Sequence, residues 1–122
     1  MNDYQEQILD HYHNPRNFGK PLWIPTHTQK LQNLSCGDEV EIFLLIEEGI
    51  VEQVAFTGEG CSISIAAASL YTEEIKGKQV DYIDKFTIDN MLELLGIKLT
   101  TSRLRCANLV IEASKAALSP TL

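Results

Sequence analysis

The sequence predicts an α+β domain, with helices laid on one face of an antiparallel sheet. Three observations point there. Val40, Ile42, Leu44 and Ile46 alternate along "EVEIFLLIEE" as one face of a strand. "IVEQVAFT" at 50–57 returns after a short turn containing Gly49. Beyond it the apolar spacing changes from two to three and four, the mark of helices, and a hairpin followed by a run of helices reads as α+β.

Each element has its own signal. Tyr4, Ile8, Leu9 and Tyr12 form a stripe on a short helix over 3–12, which "HNPRNFGKP" ends through Pro15, Gly19 and Pro21. Residues 20–35 show little periodicity, and a third strand is expected before Cys36. Phe43 and Leu45 are apolar on the second face of the first strand, so that strand is expected to be covered on both sides. "EEG" at 47–49 is the expected hairpin turn, and "TGEG" at 57–60 the expected end of the sheet. Ile63, Ala66, Ala67 and Leu70 then give a buried helical face that stops at Gly77. Residues 80–95 suggest further helix interrupted near "FTID", and a last helix over about 103–118 carries Cys106, Val110, Ala113 and Ala117 on one stripe.

The whole chain, 1–122, reads as one domain, without repeats or a Pro/Gly/Ser-rich linker. Ten Lys and Arg against 17 Asp and Glu give a net charge of -7. That balance argues against nucleic acid and against an anionic membrane surface as partners. The first residues lack the apolar core of a signal peptide, and no stretch approaches the ~20 apolar residues of a membrane span. A cytoplasmic location follows as the expectation, with thiols kept reduced.

Three cysteines, Cys36, Cys61 and Cys106, fit a disulfide framework poorly because the number is odd. They are either buried filler or parts of a shared site. Each falls at an element boundary: Cys36 before a strand, Cys61 at a helix start after Gly58 and Gly60, and Cys106 in the first turn of the last helix. Helix N-termini favour negative charge, so Cys61 and Cys106 are expected to be poised as thiolates. If 36–38 is extended, Cys36 and Asp38 project to the same side, with Gly37 removing bulk between them. Three thiolates and a carboxylate would complete a shell for zinc or for a [2Fe–2S] cluster. No Cys-x-x-Cys pair is present, so spacing alone does not choose between filler and site.

Three longer stretches carry more. "DHYHNPRNFG" (10–19), "CGDEVEIFLLIEEGIVEQVAFTGEGCSISIAAASLYTE" (36–73) and "LRCANLVIEASKAAL" (104–118) occur in this order. Together they resemble the iron–sulfur cluster assembly scaffold family of IscU, SufU and the NifU N-terminal domain, over nearly the whole chain. The resemblance implies a three-stranded antiparallel sheet with helices packed on it. It implies Cys36, Asp38, Cys61 and Cys106 as ligands of a [2Fe–2S] cluster or its iron, with Zn²⁺ as the alternative occupant. It also implies a cysteine desulfurase as sulfur donor, with Cys36 as persulfide acceptor, and apo iron–sulfur proteins as recipients. Such a protein is a scaffold and carrier rather than an enzyme, or a sulfurtransferase if the zinc reading holds. A hard carboxylate among thiolates suits a cluster that must later leave.

Two branches of that family pull apart. IscU-like members usually have His before the third cysteine, where this chain has Arg105, a cation placed in the outer shell of the site. Arg105 and "GCSIS" at 60–64 resemble SufU. The 44 residues between Cys61 and Cys106 are too few for SufU's usual insertion and resemble IscU. "LTTSR" at 99–103 lacks both prolines of the Leu-Pro-Pro-Val-Lys segment that IscU proteins present to an Hsp70-type chaperone, which argues against that partner, although Arg103 keeps the positive charge. His11 and His13, two apart, point away from each other on a helix and read as a polar helix end rather than a metal pair. Tyr4 matches a near-terminal aromatic of the family implicated in persulfide and dimer chemistry, or is a packing residue.

Overall fold

A computed structural model describes residues 3–34 and 37–119. Their order is α1 (Asp3–His13), β1 (His27–Asn33), β2 (Asp38–Glu47), β3 (Ile50–Glu59), α2 (Ser62–Ile75), α3 (Val80–Lys85), α4 (Ile88–Leu95) and α5 (Thr101–Leu118). The three strands form one antiparallel sheet in the order β1-β2-β3, with the strongly alternating β2 in the centre.

Val40, Ile42 and Leu44 of β2 stand beside Val54 and Phe56 of β3 on the face that meets the helices, and all five are buried. α2 and α5 pack against this face and each other. Ala66, Ala67, Ala107 and Ala113 are fully buried there, small side chains that let helix and sheet approach closely. On the opposite face, burial is limited to Phe43 and Ala55, which are register partners. The β2–β3 turn places Glu48 at φ 51° and Gly49 at φ 75°, the left-handed pair of a type I′ hairpin.

Several expectations shift by a few residues, each for a local reason. β3 continues through Gly58 to Glu59 rather than ending at Thr57. Gly58 permits this: a Cβ there would lie 2.5 Å from the Glu39 carbonyl oxygen across the ladder. α5 begins at Thr101, earlier than expected, because Thr100 caps it by accepting from the Arg103 N–H. The interruption near "FTID" is real: Thr87 and Asn90 form a capping box that starts α4 afresh after α3. On α1 the buried pair is Ile8 and His11, whereas Tyr4, Leu9 and Tyr12 are exposed. On α2, Tyr71 is fully buried and Leu70 only partly so.

The "HNPRNFG" segment is more than a helix stop. Asn17 takes φ 61°, its carbonyl accepts the Phe56 N–H at 2.9 Å, and Gly19 N–H donates to the Phe56 carbonyl at 2.8 Å. Near the other end of β3, Val51 exchanges hydrogen bonds with Gly77 and Lys78. The outer edge of the sheet is thus paired near both ends, which limits edge-to-edge association.

Candidate metal centre

Asp38 opens β2 opposite Asn33, and the alternation of that strand turns its side chain to the helix face, where it is 4% exposed. Cys61 is the residue immediately before α2, with extended backbone, and is half-buried. Cys106 lies in the second turn of α5 and is buried. One carboxylate oxygen of Asp38 and the sulfurs of Cys61 and Cys106 all lie within 4.8 Å of one another. Cys36 lies outside the described residues; Gly37, which follows it, lines the same open depression of about 510 Å3 as the other three.

Asp38 is tied to the start of α2 by both oxygens. The Cys61 N–H reaches Oδ1 at 3.4 Å, and the Ser64 hydroxyl donates to Oδ2. The Cys61 sulfur stands 3.8 Å from Oδ2 and 3.7 Å from the Ser64 oxygen. The carboxylate therefore ties β2 to the residue before α2 and to the first turn of that helix.

The two thiols are not equivalent. Burial works against ionising Cys61, but hydrogen bonds from the Ser64 and Ile63 backbone, with the Ser64 oxygen and the Cys106 thiol beside it, outweigh it and hold that thiol below its ordinary range. Burial pushes Cys106 up to about 12, reinforced by the Asp38 carboxylate and the Cys61 sulfur beside it. The expectation that both thiols are activated by a helix N-terminus thus holds in direction for Cys61 alone. Cys106 sits one turn too deep, where the field of the helix end has faded and burial, with Asp38 and Cys61 beside it, dominates.

The arginine lining this depression is Arg103. Arg105 lines two other depressions, one with Gln32, Asn33 and Leu34, the other with Ile88 and Leu104. His11 is buried with its Nδ1 2.6 Å from the Ser69 hydroxyl of α2, so it is an internal packing contact rather than a polar helix end. Its spacing of three from Ile8 was the available signal. Half-exposed Tyr4 lays its ring over Gly96, where a Cβ would meet it at 2.1 Å. Ser64 is the member of the cluster that sequence reasoning did not single out. Its only local sign is its place in the first turn after Cys61, where a side chain looks back toward the helix start.

Two sulfurs and a carboxylate oxygen, soft donors with one hard one, are a set that suits zinc or iron. The class defined by the fold and this cluster is a small α+β domain that presents a group able to hold a metal ion at an open depression. More particularly, the chain belongs to the NifU-like N terminal domain family, whose model matches residues 3–120. The zinc-dependent sulfurtransferase SufU of Bacillus subtilis is 33% identical over 123 residues, covering 87% of this chain and 82% of that protein. The iron–sulfur cluster assembly scaffold protein IscU of Escherichia coli is 32% identical over 125 residues, covering 95% and 91%. Among solved structures, a protein of Fervidobacterium islandicum described as an iron–sulfur cluster assembly scaffold for the SUF system superposes with TM-score 0.78 at 25% identity, covering 93% of this chain and 95% of that one. A NifU-like N-terminal protein of Brucella abortus, at 17% identity and TM-score 0.81 over 94% and 91%, shares the fold. No helix among the described residues is long and apolar enough to cross a membrane.

Proposed function

We propose that this protein is a cytoplasmic scaffold on which a [2Fe–2S] cluster is assembled and from which it is transferred to apo iron–sulfur proteins, with sulfur supplied by a cysteine desulfurase. The observation that carries this reading is the convergence of Asp38, Cys61 and Cys106 within 4.8 Å beside an open depression. Cys36 completes the ligand set. The family resemblance supplies that assignment, and the residue that follows Cys36, Gly37, lines the depression.

Sulfur arrives by exchange. The Cys36 thiolate attacks the terminal sulfur of the desulfurase persulfide; a new S–S bond forms on Cys36, the donor S–S bond breaks, and the desulfurase cysteine leaves as thiolate. An external electron donor then reduces that sulfur to sulfide before it bridges iron. Cys61, whose thiol is held below its ordinary range, would serve as a thiolate ligand. Cys106 gives up its proton as the metal's positive charge replaces the repulsion of its neighbours. Arg103 lies at the rim of the depression, where its charge offsets part of the negative charge of the loaded site.

A second reading, a zinc-dependent sulfurtransferase, is favoured by the 33% identity to the Bacillus subtilis SufU. The short span between Cys61 and Cys106 favours the scaffold. Anaerobic reconstitution with iron, cysteine and a desulfurase separates them. The scaffold takes up about two irons and two sulfides per chain and shows a [2Fe–2S] absorption spectrum. A protein that instead keeps one zinc, refuses iron and stimulates desulfurase turnover only when zinc-loaded is the sulfurtransferase.

A further inference from the structure

The cluster of Asp38, Cys61 and Cys106 includes a fourth polar side chain with no part in the ligand set. Ser64 is 8% exposed, sits one turn into α2, and donates its hydroxyl to Asp38 Oδ2. Oδ2 is the carboxylate oxygen that stands 3.8 Å from the Cys61 sulfur, whereas Oδ1 is turned toward the Cys61 N–H and Gly60. The oxygen nearest a ligand sulfur is therefore the one that the serine holds.

We infer that Ser64 is a positioning residue that competes with the bound metal for Asp38, giving the detached carboxylate a ready partner and so making Asp38 the exchangeable ligand. This rests on the metal-site reading above. The physical argument is one of alternatives. A carboxylate as buried as Asp38 is costly to leave without a donor, and a ligand bond breaks readily only if the freed group finds one. Here the donor is already in place, on the same helix that begins at Cys61, so detachment needs no rearrangement of the backbone. The sulfurs of Cys61 and Cys106 have longer and weaker contacts: Cys61 stands 3.7 Å from the Ser64 oxygen and 3.8 Å from Asp38 Oδ2, and Cys106 stands 3.6 Å from the Ser102 carbonyl. Release is therefore directed through one ligand out of the set.

The test is the rate at which a chromophoric chelator in excess removes Zn²⁺ from the full chain, with far-UV circular dichroism as the folding check. Ser64→Ala should slow release by about tenfold, since a hydrogen bond to a charged group is a large fraction of the detached state's stability. Ser64→Thr, which keeps the hydroxyl, should release within about twofold of the wild type. In an Asp38→Ala background, adding Ser64→Ala should change the rate by less than about twofold, because the serine acts through the carboxylate. Unchanged or faster release from Ser64→Ala overturns the inference, as does equal slowing with and without Asp38. Should Ser64→Ala fail to fold, a Ser64→Thr protein with release shifted tenfold overturns it, and wild-type release supports it. Wild-type protein that binds neither Zn²⁺ nor iron would sink the metal-site reading itself, and this inference with it.

Discussion

Gly60 leaves the Asp38 carboxylate its place: a Cβ on Gly60 would lie 2.8 Å from Oδ1 and 2.9 Å from Cγ. The glycine here serves packing rather than an unusual backbone angle, since only a residue without a side chain lets the start of α2 close over the carboxylate. Gly60→Ala should displace Asp38, cost about 1–3 kcal/mol of stability as overpacking does, and lower Zn²⁺ affinity about tenfold or more. Chemical denaturation and chelator competition read the two effects separately. Unchanged affinity in a destabilised protein would count against Asp38 as a ligand.

The unequal thiols predict unequal chemistry. In metal-free protein at pH 7.5, iodoacetamide should modify Cys61 at least about tenfold faster than Cys106, because each unit of pKa changes the thiolate fraction tenfold. Cys61 is both more accessible and lowered, while Cys106 is buried and pushed up to about 12. Mass spectrometry of the tryptic peptides checks this. Zn²⁺ should protect both residues together, and protection of only one would separate them.

Asp38→Ala should make a reconstituted [2Fe–2S] cluster longer-lived and slower to pass to an apo-ferredoxin. The change removes both a hard donor and one negative charge from an anionic, thiolate-rich pocket. Visible absorbance followed during transfer provides the measurement; faster transfer would contradict the role assigned to the carboxylate.

His11 makes stability depend on pH. Burial, and then the charge of Arg16, lower its pKa below 6.5, with Asp10 and Glu73 offsetting part of this. A depressed pKa in the folded state means that the unfolded chain binds the proton more readily. Stability is therefore complete above about 6.5 and is lost as pH falls toward the folded-state pKa. Denaturation midpoints should fall more steeply from pH 7 to 5 in the wild type than in His11→Gln. Asp10 and Glu39, lowered by Arg16 and by Gln32 respectively, act in a more acidic range, below their ordinary 3.8 and 4.5. Parallel pH profiles for the two proteins would assign the acid sensitivity elsewhere.

The α+β class, the hairpin, the helical second half and three members of the candidate site, Asp38, Cys61 and Cys106, were legible in the sequence. These depend on periodicities and turn residues that act over a few positions, and on motifs long enough to mark a family. Boundaries were less legible where a cap or a missing side chain decided them: Thr100 starts α5 early, and Gly58 lets β3 run on. Tertiary structure alone decided what surrounds the site. Ser64 meets Asp38 across 26 positions of sequence, and His11 meets Ser69 across 58. It brings Arg103 to the depression and sends Arg105 to two others. It also makes Cys61 the readier thiolate and Cys106 the reluctant one. Each outcome depends on which groups from distant segments share one small, poorly solvated volume. There desolvation and neighbouring charge outweigh any local propensity, and neither is a property of residues read in order.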